Sequence, residues 1–177
     1  MDNFVSFFKP VKFGLVLAIA TILLSFMLGG AFGAKEDAIF EYLNSQGKPV
    51  IQSVYKGDVA KLDTVVSKSW SYFKRAHLHA GAIGTSSMIL ITMIAFMNIQ
   101  KLVKTTLSTF IGIGSFGYSF FWLLAGMRAP SLGGTSIAKE SLKWLAVPSA
   151  GFLIVGTLSV LLLVIYLLFI KNENAVN

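Results

Sequence analysis

Four stretches of this chain are too long and too apolar to sit in a water-soluble domain. They run from about Phe13 to Ala34, Ala76 to Met97, Thr105 to Met127 and Leu145 to Ile170. A helix needs about 20 apolar residues to cross the hydrocarbon core of a bilayer, and each stretch supplies them. Lys9 and Lys12 precede the first, Arg75 and Lys101 bracket the second, Lys104 and Arg128 the third, and Lys143 and Lys171 the fourth; none of the four contains an acidic residue. Cations at the ends of apolar runs are what interfacial anchoring requires. The composition agrees: charged residues make up 13% of the 177 residues and hydrophobic ones 55%, where a soluble domain carries roughly 25% charged residues to cover its surface.

Only the first run invites another interpretation, as the apolar region of a signal peptide behind Lys9 and Lys12. It is longer than the roughly 7–15 residues of such a region, so a retained helix is expected. The long polar segment that follows, residues 35–75, has its own pattern. Residues 35–43 are spaced as a continuation of the first helix, and the Asn44 to Pro49 segment carries the Gly and Pro that stop it. From Asp58 onward Val59, Leu62, Val66, Trp70, Phe73 and His77 recur at steps of three and four, a single helical stripe. No breaker separates that stripe from the second run, so residues 59–97 are predicted to form one helix of roughly 55 Å at 1.5 Å per residue. The fold class predicted is an all-α, polytopic membrane protein: one four-transmembrane-helix bundle with an extramembrane helical hairpin at about 35–75 between the first two spans.

The second connection is short and pairs the second and third runs antiparallel. The third is predicted to turn through residues 129–134 and then to start a short helix at Thr135 and Ser136. Pro148 should bend the fourth run. Positive charge is densest around the termini and the Lys101 to Lys104 connection. The positive-inside rule then favours both termini being cytoplasmic and the long polar segment outside; the location expected is a bacterial inner (cytoplasmic) membrane.

Several chemistries are excluded or unsupported. With no cysteine, there is no disulfide, thiolate metal site, iron–sulfur cluster or cysteine nucleophile. No P-loop pattern occurs, and with no acid inside a span there is no carboxylate relay. There is also no paired repeat of the transporter kind. The formal net charge of +7 sits at helix ends instead of forming a basic face, which argues against a nucleic-acid partner.

The motif that stands out is Arg75-Ala-His77-Leu-His79-Ala-Gly81, at the mouth of the second span and holding both histidines of the chain. Two residues apart on a helix is about 200° around it, so His77 and His79 cannot grip one metal ion together from a regular helix. The topology predicts that Met27 at the end of the first span, Met127 and Arg128 at the end of the third, and Lys139 and Lys143 above the fourth share that depth. Imidazoles and thioethers can ligate haem iron, and Arg75, Arg128, Lys139 or Lys143 could neutralise propionates. A haem b site, or a copper or other metal on His77 or His79, is therefore one expectation. Set against it are packing methionines, hydrogen-bonded interfacial histidines and snorkelling cations. The aromatic third span, Ser115 to Trp122, could border a haem or quinone, or could face lipid with an interfacial Trp. On balance the sequence favours a non-enzyme: a non-catalytic subunit or accessory protein of a membrane assembly, such as a respiratory one. Its partners would be the lipid bilayer and a homo-oligomer or larger membrane complex. The alternative is a haem-binding electron-transfer protein centred on His77 or His79.

Overall fold

The computed structural model describes residues 2–171, and within them the chain is all-helical, with no strand. The elements are α1 (Asp2–Phe8), α2 (Lys12–Gly47), α3 (Val59–Phe96), α4 (Lys101–Leu132), α5 (Thr135–Glu140) and α6 (Lys143–Ile165). Short 3-10 turns follow α1 and α2, and a π-turn at Tyr166–Ile170 closes α6. Four helical segments, with α2 to α4 and α6 at their centres, are long and apolar enough to cross a membrane.

The first helix continues past its apolar run as expected, but not smoothly. Lys35 leaves helical geometry at φ −142° and ψ 30°, at the point where Gly29, Gly30 and Gly33 give way to charge. Each glycine weakens a helix by about 1 kcal/mol relative to alanine, so the break falls where the helix is weakest. Gly47 ends α2, and Pro49 sits in the first turn of the 3-10 segment that follows, where a missing N–H costs nothing. Lys56 and Gly57 then take positive φ values of 56° and 81°. Asp58 caps α3, accepting from the Lys61 amide at 2.9 Å. From there α3 runs unbroken for 38 residues, as the continuous stripe required.

One expectation is corrected. Residues 129–132 do not turn; α4 carries them as helix with Pro130 inside, and the chain reverses only at Gly133, in the left-handed region at φ 82°. Proline near a helix end removes few bonds; separately, Tyr55 donates to the Pro130 carbonyl at 2.6 Å, a carbonyl that the end of the helix leaves without an intrahelical partner.

Packing centres on α4. Its most apolar window is 44% buried, against 11% for the fourth apolar segment, Lys143–Ile170. α3 runs antiparallel to α2 and to α4, so α2 and α4 run parallel to each other. Gly14 and Gly112 let α2 and α4 touch backbone to backbone; a Cβ on Gly112 would lie 2.8 Å from the Gly14 Cα. The polar stretches form a core of their own. Leu43 of α2, Tyr55 of the connection, and Leu62, Val65, Val66 and Phe73 of α3 pack with Ala129 of α4 and Ala138 of α5. The third connection thus contributes to this core, which the sequence had assigned to the first connection alone.

Candidate functional site

Helical geometry sends the two histidines of α3 to different neighbours. His77 faces α2. Its Nδ1 lies 2.9 Å from the Ser25 carbonyl oxygen and 3.1 Å from Ser25 Oγ, while Ser25 Oγ donates to the His77 carbonyl at 2.9 Å. A carbonyl can only accept, so the network assigns the proton to Nδ1 and leaves Nε2 with the lone pair. Gly29, one turn beyond Ser25, makes room for the ring: a Cβ there would stand 2.9 Å from His77 Cε1. Phe32 meets the imidazole edge-on at 5.7 Å between centroids.

His79 faces α4. It stacks on Tyr118 at 5.6 Å and 16° between planes, and meets Trp122 edge-on at 5.8 Å. Arg75, one turn earlier on α3, lays its guanidinium over the rings of Tyr72 at 5.4 Å and Trp122 at 5.1 Å. Such contacts contribute about 0.5–2 kcal/mol each, more when desolvated. Leu142 and Leu145 close over this aromatic box from the start of α6. Inside it the Trp122 Nε1 is buried with no hydrogen-bond partner.

The remaining sequence candidates have surroundings of their own. Met27 is 66% exposed on α2. Met127 packs against the polar-segment core around Leu43 and Tyr55. Arg128 and Lys139 are exposed. Lys143 pairs with Glu140 at 2.9 Å, with both side chains more than 60% exposed. Of the set, the structure gathers Arg75 and His79 into one box and leaves His77 in a second on the other side of α3. Among the described residues no group of three His, Asp or Glu side chains is placed to hold a metal ion.

Tyr118 and Trp122, four apart, are the surface on which His79 and Arg75 rest. Sequence reasoning missed Ser25 and Tyr55. Ser25 had a signal: Gly14, Ala18, Thr21 and Ser25 follow helical spacing, and all four are buried, as a small-residue seam between helices requires. Tyr55 had none, because its acceptor lies 75 positions away. Its burial, at 1% exposure, pushes the phenol above its ordinary range by desolvation. No family model, curated protein or solved structure matches this chain.

Proposed function

We propose that this chain is an integral membrane protein that serves as a non-catalytic subunit of a membrane assembly. The observation that carries the reading is the use made of its chemistry-bearing side chains. His77 is tied to Ser25 across the α2–α3 seam and His79 is stacked between α3 and α4, so both act as fasteners between helices. Small residues and hydroxyls in those seams do the same work. The polar stretches around residues 35–75, joined by α5, form an extramembrane head. Lys9, Lys12, Lys101 and Lys104 mark the cytoplasmic end of a bacterial inner membrane bundle, with both termini on that side.

The test is purification from native membranes in mild detergent through a C-terminal tag. A companion protein retained at fixed stoichiometry supports the reading, and a preparation containing this chain alone overturns it. Reporter fusions at the C-terminus and within the 51–57 turn check the orientation.

A second reading, a haem b or metal protein, draws on one observation. The His77 tautomer, with Nδ1–H held by a carbonyl and Nε2 free, is the form metal-bound histidines take. His79, the only other histidine of the chain, faces α4 instead, so this reading needs a second axial ligand of another kind or from a partner. An absorption band of ligated haem that disappears in His77→Ala would establish this reading; a colourless, metal-free preparation sinks it.

A further inference from the structure

The start of α2, the α3–α4 connection and the end of α6 bring Lys9, Lys12, Lys101, Lys104 and Lys171 to one end of the bundle. Carboxylates are scarce around them in the chain: none occurs between Asp2 and Glu36, between Asp63 and Glu140, or between Glu140 and Glu173. Two of these lysines are engaged by the fold. Lys12 lies over the Phe13 ring at 4.9 Å, and Lys104 donates to the Ala95 carbonyl at 2.7 Å, at the end of α3. Lys9 and Lys101 instead line one pocket of about 500 Å³, together with Ser6, Pro10 and Thr105. The one ion pair among the described residues is Lys143 with Glu140, so neither cation of the pocket has a carboxylate partner there.

The walls of this pocket are held in place. Val11, fully buried, roots the Lys9–Val11 turn in the core. The Thr105 hydroxyl donates to the Pro10 carbonyl at 2.8 Å and shares its proton with the Lys101 carbonyl at 3.0 Å. That contact ties the turn to the first turn of α4 and keeps Lys9 and Lys101 on one opening. Phe7 and Phe8 meet the Phe96 ring at 5.3 and 5.7 Å, which fixes α1 against the end of α3. The chain next to the lining is apolar and exposed at Val5, Phe13 and Leu102. Two unpaired ammonium groups ask for an anion, and lysine binds phosphate as a point charge. The apolar neighbours ask for hydrocarbon. A free phosphate answers only the first demand; an anionic phospholipid answers both, and basic pockets at the ends of spanning helices take such headgroups.

We propose that the pocket between the Lys9–Val11 turn and the start of α4 binds the phosphate of an anionic phospholipid, held between Lys9 and Lys101. The proposal rests on the membrane reading above, and the experiment separates the two. The whole chain in mild detergent is titrated with phosphatidylglycerol, with phosphatidylcholine as the neutral comparison, and native mass spectrometry reads the protein carrying lipid. The expected result is preferential binding of phosphatidylglycerol. Lys9→Gln and Lys101→Gln should each weaken it about five-fold, while Lys171→Gln, which removes the same charge outside the pocket, should leave it unchanged. Thr105→Val keeps every charge but releases the turn from α4, and it too should weaken binding while circular dichroism keeps its helical signal. An equal loss in Lys171→Gln, or full binding in Thr105→Val, means a diffuse positive surface and overturns the built pocket. Displacement of the lipid by an equal concentration of inorganic phosphate marks a free-anion site and overturns the lipid. Alkaline carbonate washing of native membranes tests the underlying reading: release into the soluble fraction sinks membrane insertion itself. A chain that stays in the membrane but binds the two lipids alike sinks only the headgroup site.

Discussion

Replacing Tyr55 by Phe removes one hydrogen bond and almost nothing else. At the end of α4 the Gly133 and Gly134 amides both turn back to the Ala129 carbonyl, so the Pro130 carbonyl is one of the orphan acceptors every helix end must satisfy. The Tyr55 phenol satisfies it at 2.6 Å from a fully packed position among Leu43, Leu62 and Ala129. In Tyr55→Phe that carbonyl stays buried and unpaired, a cost of about 1–3 kcal/mol. At roughly 2–4 °C per kcal/mol for a chain of this length, thermal unfolding in mild detergent should fall by about 2–12 °C. Amide exchange at residues 129–134 should accelerate more than in the centre of α3. The same bond has a signed pH dependence. Burial raises the folded phenol above its ordinary value, so its contribution is complete below about pH 10 and is lost as pH climbs through the folded value. The informative quantity is the wild-type minus Tyr55→Phe difference, which should shrink on alkalinisation. Tyr42→Phe, at an exposed position, is the control. A Tyr55→Phe protein that melts with wild type at neutral pH would refute the claim that this bond closes the end of α4.

Further perturbations test the seams. Gly14→Val drives a side chain into the Ser108 carbonyl across the α2–α4 contact and should destabilise by about 1–3 kcal/mol or more, read as a lowered melting temperature; Gly30→Val, at an open position, should not. Ser25→Ala removes one donor and should cost about 1 kcal/mol. Adding His77→Ala should then cost less than it does alone, and strict additivity in that double-mutant cycle would deny the coupling. Gly114→Leu collides with the Leu153 backbone and should raise amide exchange in α6 while leaving α2 and α3 protected; uniform acceleration would mean α6 is not a separable layer.

The long-range plan was legible wherever a pattern is periodic. The stripe from Val59 to His77 predicted an unbroken α3, and the apolar runs predicted the four long helices, because burial repeats with the helical period. What the sequence concealed was contact between positions distant along it. Nothing local says that the Pro130 carbonyl at the end of α4 would be satisfied by a tyrosine 75 positions earlier. Gly29 and Gly33 stand four apart on α2, yet only Gly29 is in contact, against the His77 ring, and Gly33 meets open space. The operative seam on α2 is the quieter Gly14, Ala18, Thr21, Ser25 series, in which only one residue is glycine. For the candidate site, the 200° separation of His77 and His79 was readable at once. Which helix each would face was not, because that depends on how α3 is rotated between α2 and α4.

That rotation follows from the small residues. Lipid tails are as apolar as leucine, so helices in a bilayer gain little by hiding leucine from them, and association rests on close packing and interhelical hydrogen bonds. Ala76, Ala80, Gly84 and Ser87 are the small ones among the buried positions of α3 between Phe73 and Ile91, and there they set the face that α2 and α4 can approach. His77 and His79 flank that face on its two sides, so each is pressed against a different neighbour and each finds what an imidazole needs there, a carbonyl for one and ring faces for the other. The same accounting explains why α6 is peripheral. Gly114, Gly117 and Gly156 attach it to α4, while toward α3 it offers Leu153 and Thr157 across a gap.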